Sequence, residues 1–230
     1  MKKNFTIISF LFSLGCFSQL ENAYLFAGAG TTYYQGDLNA RVFPDLRILN
    51  FSFKGGIGYH LNERIGILAH YTKSSVSASD LYVDNAIKVA RGISFKSPIN
   101  EFGFNIKIRN IIKSQENLIS YFLTGVNYFE FKPLTDISPY AYKPDLLLEE
   151  GYETSGINIP LGFGVGMWCT ENLRIVWEAS VHLTWTDYLD GVSQNGDPFY
   201  KDAFVDSHIM LLYSFSEPLD QKDKYQKKYR

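Results

Sequence analysis

A glutamate, a serine and a histidine with the chemistry of a hydrolase lie close together in the sequence. Glu178, Ser180 and His182 are two residues apart, so a strand would present all three side chains on one face. A serine hydrolase needs its serine and histidine within hydrogen-bond reach, together with an acid that orients the histidine. Residues two apart on one strand point the same way without meeting in that geometry. The trio is therefore weak evidence for an enzyme that acts on lipid.

Two further sets of residues have ligand chemistry but lack ligand spacing. His70, His182 and His208 fall on different predicted strands, and no pair is spaced as H-x-x-x-H. Asp187 and Asp190 could bind calcium in an outer loop, although such residues more often cap a turn. The sequence contains no G-x-S-x-G, phosphate-binding loop or metal motif. We predict no catalytic residue, metal, cofactor or small-molecule substrate, and hence a protein that is not an enzyme.

The stretch from Asn172 to Val192, which carries the trio, alternates between apolar and polar residues. One alternate set is apolar throughout: Leu173, Ile175, Trp177, Ala179, Val181, Leu183 and Trp185. The other set, which ends at Thr186, is polar at every position except Val176. This period of two predicts a strand about twice the usual length of roughly 5–6 residues. Long strands of this kind cross membranes in β-barrels, with lipid outside and a polar lumen inside.

Strand-like patterns recur along the chain in eight segments. They are Ala23–Gln35, Ile48–His60, Arg64–Val76, Pro98–Ile112, Leu118–Lys132, Ile157–Cys169, Asn172–Val192 and Ala203–Phe215. The fifth is apolar on both faces, so its outward side stays open. Pro160 in the sixth costs one ladder bond and predicts a bulge or a locally open pairing. Since no apolar run reaches the roughly 18 residues that a membrane helix needs, the chain crosses the membrane with strands.

Short and long connections alternate between these segments. The short ones are Leu61–Glu63, Lys113–Asn117 and Thr170–Asn172, and the long ones are Gly36–Arg47, Ser77–Ser97, Pro133–Gly156 and Leu189–Asp202. Bacterial outer-membrane barrels have short periplasmic turns, long outer loops and an even number of strands. The sequence therefore predicts an all-β, eight-stranded antiparallel transmembrane up-and-down β-barrel in the cell outer membrane. Outer-membrane lipid would contact the outer face of this barrel.

Six charged residues would face the lumen: Lys54, Glu101, Lys107, Arg109, Arg174 and Glu178. One interpretation is a selectivity ring or a ligand site. The other is a plug, in which these charges pair with one another and with His182, Asp206 and His208. Eight strands enclose an interior only wide enough for side chains, and buried charges must pair. We predict the plug, and therefore a barrel that does not conduct ions.

The two ends of the chain have compositions that differ from the barrel. Residues 1–18 have the lysines, apolar run and small residues of a secretory signal peptide, cleaved after Ser18; the alternative is lipidation of Cys16. The barrel would occupy residues 19–216, followed by a basic periplasmic tail at 217–230. The tail contains the candidate partner contacts Lys222, Lys224, Lys227, Lys228 and Arg230. They would dock on an acidic periplasmic surface or remain solvated. The net charge of -2 does not indicate binding to nucleic acid.

Four segments taken in order carry a resemblance to a known family. They are Tyr33–Leu38, Phe95–Phe102, Ile159–Gly166 and Thr186–Ser193. Together they resemble the small outer-membrane barrels of Bacteroidetes-type bacteria, a family that includes PorG of the type IX secretion and gliding apparatus. The resemblance covers nearly the whole mature chain. It implies an eight-stranded barrel without enzymatic activity and, for the secretion component, contact with periplasmic secretion-ring proteins.

Three functional hypotheses follow from these patterns. The first is a scaffold or anchor subunit of the type IX secretion and gliding machinery, working in protein transport. The second is a stand-alone structural or adhesive barrel that acts through its extracellular loops. The third is a barrel enzyme acting on lipid, which the spacing of Ser180 and His182 disfavours. The resemblance favours the first.

Overall fold

The computed structural model describes residues 22–36, 46–82, 89, 92–109, 111, 118–137, 151–191 and 201–215. These residues form nine strands: β1 Ala23–Gln35, β2 Asn50–His60, β3 Ile65–Ser79, β4 Ile93–Arg109, β5 Leu118–Phe131, β6 Leu134–Ile137, β7 Ser155–Trp168, β8 Leu173–Thr184 and β9 Ala203–Ser214. Short 3-10 turns lie at Leu46–Ile48 and Asp80–Tyr82. Within this described part of the chain, no helix is long and apolar enough to cross a bilayer.

The strands close into a barrel. Each long strand pairs antiparallel with the next long strand, and β1 pairs with β9 to complete the circle. The short strand β6 follows β5 and pairs with the first residues of β4. It therefore lengthens the wall at that end of the barrel and does not add a ninth strand to the circle. The predicted eight-stranded antiparallel up-and-down barrel is confirmed.

Two strands differ from their predicted limits by about five residues or more at one end, while the others agree to within about three residues. The fourth begins at Ile93 rather than Pro98, because its first residues pair with the end of β3 as far as Ser79. The seventh ends at Thr184, although the alternating pattern continues beyond it. Past that point the Leu189 N–H donates to the Asp202 carboxylate at 3.0 Å, and Gly191 takes a φ of 76°. This hydrogen bond between residues 13 apart in sequence folds the segment over the barrel end, and glycine adopts the positive φ at position 191 without strain.

The predicted division into two faces holds on β8. Its inward residues are buried: Arg174, Val176, Glu178, Ser180, His182 and Thr184. Its outward residues are exposed or half-buried: Leu173, Ile175, Trp177, Ala179, Val181 and Leu183. The structure also settles the face of β5, since Tyr121, Leu123 and Phe129 are buried in the lumen while Val126 and Tyr128 are exposed.

Pro160 opens the sheet locally. β5 and β7 pair from Leu118 opposite Met167 to Thr124 opposite Leu161, and again from Asn127 opposite Asn158. Pro160 and its neighbour are skipped, but the register is the same on both sides of the gap. Of the two predicted outcomes, the structure shows the open pairing and no bulge at this point in the described ladder.

Gly164 leaves room for the ring of Tyr121, and we expect Gly164→Ala to destabilise the barrel. A Cβ atom there would lie 2.1 Å from the Tyr121 Cζ atom, well inside contact distance. Because Tyr121 donates a hydrogen bond to Glu178, its ring is not free to move away. Overpacking of this kind costs about 1–3 kcal/mol. Urea unfolding in lipid vesicles measures the free energy.

Gly55→Ala is the matched control for Gly164→Ala. A Cβ atom at Gly55 meets its nearest neighbour, the Phe26 carbonyl oxygen, at 3.4 Å, which is an ordinary contact. We expect a change within about 0.5 kcal/mol for this variant. Equal losses for both variants would mean that the ring does not fill the space over Gly164.

Candidate functional site

The six predicted lumen charges all lie inside the barrel. They come from β2, β4 and β8, and each is 3% exposed or less: Lys54, Glu101, Lys107, Arg109, Arg174 and Glu178. Each occupies an inward position of its strand, so the period of two places these side chains in the lumen. Four of them join a buried network at the middle of the barrel. The two arginines lie instead at the end of the lumen that faces the short turns.

Glu178 is the centre of the network. One of its oxygens lies 2.8 Å from the Lys54 Nζ atom, and the other lies 3.4 Å from the Lys107 Nζ atom. The Tyr121 hydroxyl donates a further hydrogen bond to the same carboxylate. A single carboxylate thus compensates two buried ammonium groups, a strong interaction because water is excluded from these contacts.

His182 joins two more carboxylates across the lumen. Its Nδ1 atom lies 3.0 Å from Glu101 Oε2, and its Nε2 atom lies 3.2 Å from Asp206 Oδ2. The Asn158 amide donates to Glu101 at 2.7 Å. Since Lys54 lies 3.9 Å from Asp206, the two groups of charges form one continuous network.

The three residues Glu178, Ser180 and His182, which are candidates for a hydrolase trio in the sequence, do not form one. Ser180 Oγ lies 3.4 Å from His182 Nε2, but the serine hydroxyl donates to Asp206, and Glu178 points to Lys54 instead. Ser180 and His182 are only 2% and 1% exposed, so a lipid carbonyl cannot approach the serine oxygen. The cluster joins neighbouring strands through buried hydrogen bonds.

Two apolar clusters cover the network above and below. One consists of Tyr34, Val76, Ala78, Ile93, Phe95, Ile99, Phe129, Phe131, Leu189 and Phe204, towards the long connections. The other consists of Tyr24, Phe26, Leu68, Tyr121, Leu123, Val176, Met210 and Leu212, towards the short turns. An eight-stranded interior is just wide enough for such side chains. The lumen is therefore packed along its length in the described residues.

Sequence reasoning missed Tyr121 as a member of the network. Tyr121 lies on β5, where both faces are apolar, so no alternation marked it as inward. The one available signal was Gly164, which leaves space for a large ring across the β5–β7 pair. The three histidines are linked through shared carboxylates: His70 contacts Glu101 at 3.3 Å and His208 contacts Asp206 at 3.5 Å, and His182 contacts both of these acids. In the described part of the chain, no group of three or more histidine, cysteine or acidic residues is placed to hold a metal ion.

At the outer rim, the carboxylates of Asp187 and Asp190, which are candidate calcium ligands in the sequence, contact other side chains of the chain. The Tyr34 hydroxyl donates to Asp190 at 3.1 Å and also to Asp202. Asp187 lies 3.6 Å from the Lys201 Nζ atom. These bonds attach the segment after β8 to β1 and to the start of β9.

The stability of this rim is expected to depend on pH through Asp202. Burial, followed by the nearby Asp190 carboxylate, raises the pKa of Asp202 to about 8 from the ordinary 3.8. The folded chain thus holds a proton that the unfolded chain releases. This contribution to stability is complete below about pH 4 and is lost as the pH rises through about 8.

We therefore expect the free energy of unfolding to decrease between about pH 5 and about pH 9, with a shallower decrease in Asp202→Asn. The amide keeps a neutral side chain of the same shape at every pH. Chemical unfolding at a series of pH values measures both slopes. Parallel profiles for the two proteins would mean that Asp202 is ionised in the folded state.

A cleft of about 530 Å³ opens beside this rim, between β7 and the segment that follows β8. Its walls include the stacked rings of Tyr152 and Tyr188, 4.7 Å apart at an interplanar angle of 5°. Trp185, 62% exposed, forms part of the edge, and Glu153 contributes a carboxylate. The cleft can bind a ligand that has both apolar faces and hydrogen-bonding groups.

Several predicted features lie outside the described residues. They are the signal peptide at 1–18, the short connection at 113–117, and the tail with Lys222, Lys224, Lys227, Lys228 and Arg230. The other two short connections are described and hydrogen-bonded. Asn62 Oδ1 accepts from the Arg64 and Ile65 N–H groups at 2.8 Å, and Thr170 Oγ1 accepts from the Leu173 N–H at 3.1 Å.

The outer surface of the wall is an apolar belt. Large apolar residues on it are at least 40% exposed: Phe51, Phe53, Ile57, Phe102, Phe104, Ile106, Ile108, Val126, Trp177, Ile209 and Leu211. The strands of 11 to 17 residues that form the barrel wall exceed the roughly 9–11 needed to cross a bilayer. A closed wall with this belt outside and a packed polar lumen inside defines a small β-barrel of the outer-membrane type. The outer membrane is its location.

The chain belongs to the family described as Domain of unknown function (DUF6089), whose model matches residues 2–218. Its fold is similar to that of Neisserial surface protein A, with a TM-score of 0.52 and 13% identity over 84% of this chain and 97% of that one. The attachment invasion locus protein of Yersinia pestis also matches, with a TM-score of 0.46 and 10% identity over 84% and 98% of the two chains. No curated protein matches this sequence.

Proposed function

We propose that the chain is a non-enzymatic anchor in the outer membrane, a scaffold subunit of the type IX secretion and gliding machinery. The observation that carries the anchor function is the packed lumen. Glu178 and the side chains around it fill the space through which a pore or a substrate site would have to pass. Partners would therefore bind at the two ends of the barrel. The secretion function is supported by the resemblance of the four sequence segments to the family that includes PorG.

The periplasmic end offers a fixed docking surface in this proposal. The turns at 61–64 and 169–172 are held by hydrogen bonds to Asn62 and Thr170, and they follow strands whose ends are paired. Short turns face the periplasm in barrels of this class. The basic tail beyond β9 would add an electrostatic contact to an acidic surface of the periplasmic secretion ring.

Crosslinking in intact cells, followed by purification of the full chain, tests the proposal. In one variant, Lys222, Lys224, Lys227, Lys228 and Arg230 are changed to Gln. The control changes five exposed basic residues near the long connections: Arg47, Lys73, Lys96, Lys132 and Lys201. We expect secretion-ring proteins to copurify with the wild type and the control, and to be lost from the tail variant as salt is raised. Membrane insertion should be equal in all three. Absence of ring proteins from the wild type would overturn the secretion function and leave the anchor function standing.

The outer cleft favours a second candidate function, a stand-alone structural or adhesive barrel that acts at the cell surface. The exposed ring of Trp185 and the stacked pair Tyr152–Tyr188 give it the aromatic surface common at binding sites. Cell-surface binding by wild type, Trp185→Ala and Trp177→Ala separates the two functions, since Trp177 is also outward but lies within the lipid belt. Loss of attachment in Trp185→Ala alone would favour the adhesive function. Equal attachment by all three proteins would mean that this cleft is not the attachment site.

A further inference from the structure

The outer cleft lies at the border of the apolar belt, on the side of the long connections. Ile157 and Trp185 line it, and both are exposed. The ladder between β7 and β8 ends with Asn158 opposite Thr184, so Ile157 and Trp185 are the next residues beyond this last pair. They continue the outward sets of the two strands. Aromatic residues occupy this level in outer-membrane barrels, where lipid tails give way to polar headgroups. The cleft therefore opens at the outer membrane surface.

One wall of the cleft is fixed by contacts within the chain. Tyr152 and Tyr188 pack, partly buried, against the apolar cluster towards the long connections, and their rings stack 4.7 Å apart. Thr186 Oγ1 accepts a hydrogen bond from the Tyr188 N–H at 3.2 Å, and Asp187 lies 3.6 Å from the Lys201 Nζ atom. These contacts hold the segment after β8 against the barrel. The cleft is therefore formed before any ligand binds, as most small-ligand sites are.

The lining of the cleft combines an aromatic face with hydrogen-bonding groups. The ring of Trp185 is exposed, while Glu153, Ser155 and the pair of Asp187 and Lys201 supply acceptors and donors. A sugar ring has matching parts. The C–H groups on one face of the sugar can pack on the electron-rich face of an indole, and the hydroxyl groups at its edge can bond to carboxylates and ammonium groups. In the described part of the chain Glu153 has no ion pair, so its charge would repel a phosphate or sulfate group.

We propose that the outer cleft binds a neutral sugar ring, which stacks on Trp185 and bonds through its hydroxyl groups to Glu153 and to the pair of Asp187 and Lys201. The sugar belongs either to the headgroup of a glycolipid in the outer leaflet or to a glycan outside the cell. Because the cleft borders on the belt and opens at the membrane surface, both sources are within reach. This site gives a ligand to the cleft of the second candidate function, on which it rests, and it does not depend on the secretion function.

Saturation-transfer NMR on the full chain in phosphocholine bicelles tests the site, because it shows which protons of a sugar contact the protein. The probes are the methyl and dodecyl glycosides of glucose, galactose, mannose and N-acetylglucosamine. We expect transfer to the C–H protons on one face of at least one of these sugars. Transfer to a methyl glycoside would support the site with a free glycan as the source, and transfer to dodecyl glycosides alone would support it with a glycolipid. Absence of transfer to the sugar protons of every probe would overturn the proposal.

Trp185→Ala removes the aromatic face, and Trp177→Ala is its control, because Trp177 is also outward and exposed but lies within the belt. We expect the dissociation constant of the sugar to rise roughly 10-fold in Trp185→Ala alone. Glu153→Gln should raise it roughly 2- to 10-fold, with the exposed Glu130→Gln as the control. Equal sugar affinity in Trp185→Ala and Trp177→Ala would contradict the proposal. Weaker sugar binding by Trp185→Ala, together with unchanged cell attachment, would exclude the adhesive function and leave the sugar site standing.

Discussion

Replacing Glu178 by Gln should lower the free energy of unfolding by about 3–5 kcal/mol. The carboxylate compensates Lys54 and Lys107, which are both buried, and no water replaces it when its charge is removed. Loss of one partner from a buried ion pair leaves an uncompensated charge, and this accounts for most of the expected cost. Urea unfolding of the purified barrel in lipid vesicles measures the change.

Glu130→Gln is the control for this prediction. Glu130 is exposed on the outer face, where its carboxylate accepts a hydrogen bond from Tyr128 at 3.1 Å. Its substitution should change the free energy by no more than about 0.5 kcal/mol. In addition, Lys54→Met combined with Glu178→Gln should be less destabilised than the sum of the two single variants, because both charges of one pair are gone. Strict additivity would mean that Lys54 and Glu178 are not coupled.

Ala179→Arg should destabilise the barrel by about 2–4 kcal/mol, because the side chain lies on the lipid face near the middle of β8. Ala179 faces outward between Phe163 of β7 and Ser207 of β9. An arginine at this depth would place its charge in hydrocarbon. The same unfolding experiment in vesicles measures the loss.

Ala179→Leu tests whether charge or size is responsible. Leucine adds volume at the same position without a charge, and lipid accommodates it, so a change of no more than about 0.5 kcal/mol is expected. If both substitutions cost the same, the position contacts protein or water rather than lipid. Ser180→Ala is less suitable as the control, because Ser180 donates to the buried Asp206 and its loss should cost about 1–3 kcal/mol by itself.

The sequence predicts the barrel wall well because the two faces of each strand have different surroundings. Lipid outside and a packed polar lumen inside require alternation, so the inward positions of Lys54 on β2 and Glu178 on β8 follow from local pattern. The same rule fails on β5. Both of its faces are apolar because Tyr121, Leu123 and Phe129 belong to the apolar clusters that cover the charge network.

Which charges pair could not be predicted from the sequence. Lys54 and Glu178 are 124 residues apart and contact each other across the lumen, from β2 to β8. Their meeting depends on the tilt of the strands and the stagger between them, which closure of the whole barrel determines. For the same reason, the sequence could not show that Tyr24, His60 and Arg174 contact one another where three strand ends meet. Local patterns contain no information about this stagger.

The end of β8 shows a second limit. Alternation continues through Trp185 and Thr186, beyond the last paired residue of the strand. The chain leaves the wall there because Leu189 and Asp190 bond to Asp202 and Tyr34, which are distant in sequence. Contacts between distant residues override a local pattern wherever a segment folds over the end of the barrel.

Ion conductance through the purified full-length protein in a planar bilayer tests most directly that the lumen is closed. The network around Glu178 and the apolar clusters on either side of it leave no continuous water path among the described residues. Membrane incorporation is confirmed beforehand by protection of the barrel from added protease in vesicles. The account predicts no steady open channel at any applied voltage that the bilayer tolerates. A stable, ion-selective conductance would contradict it.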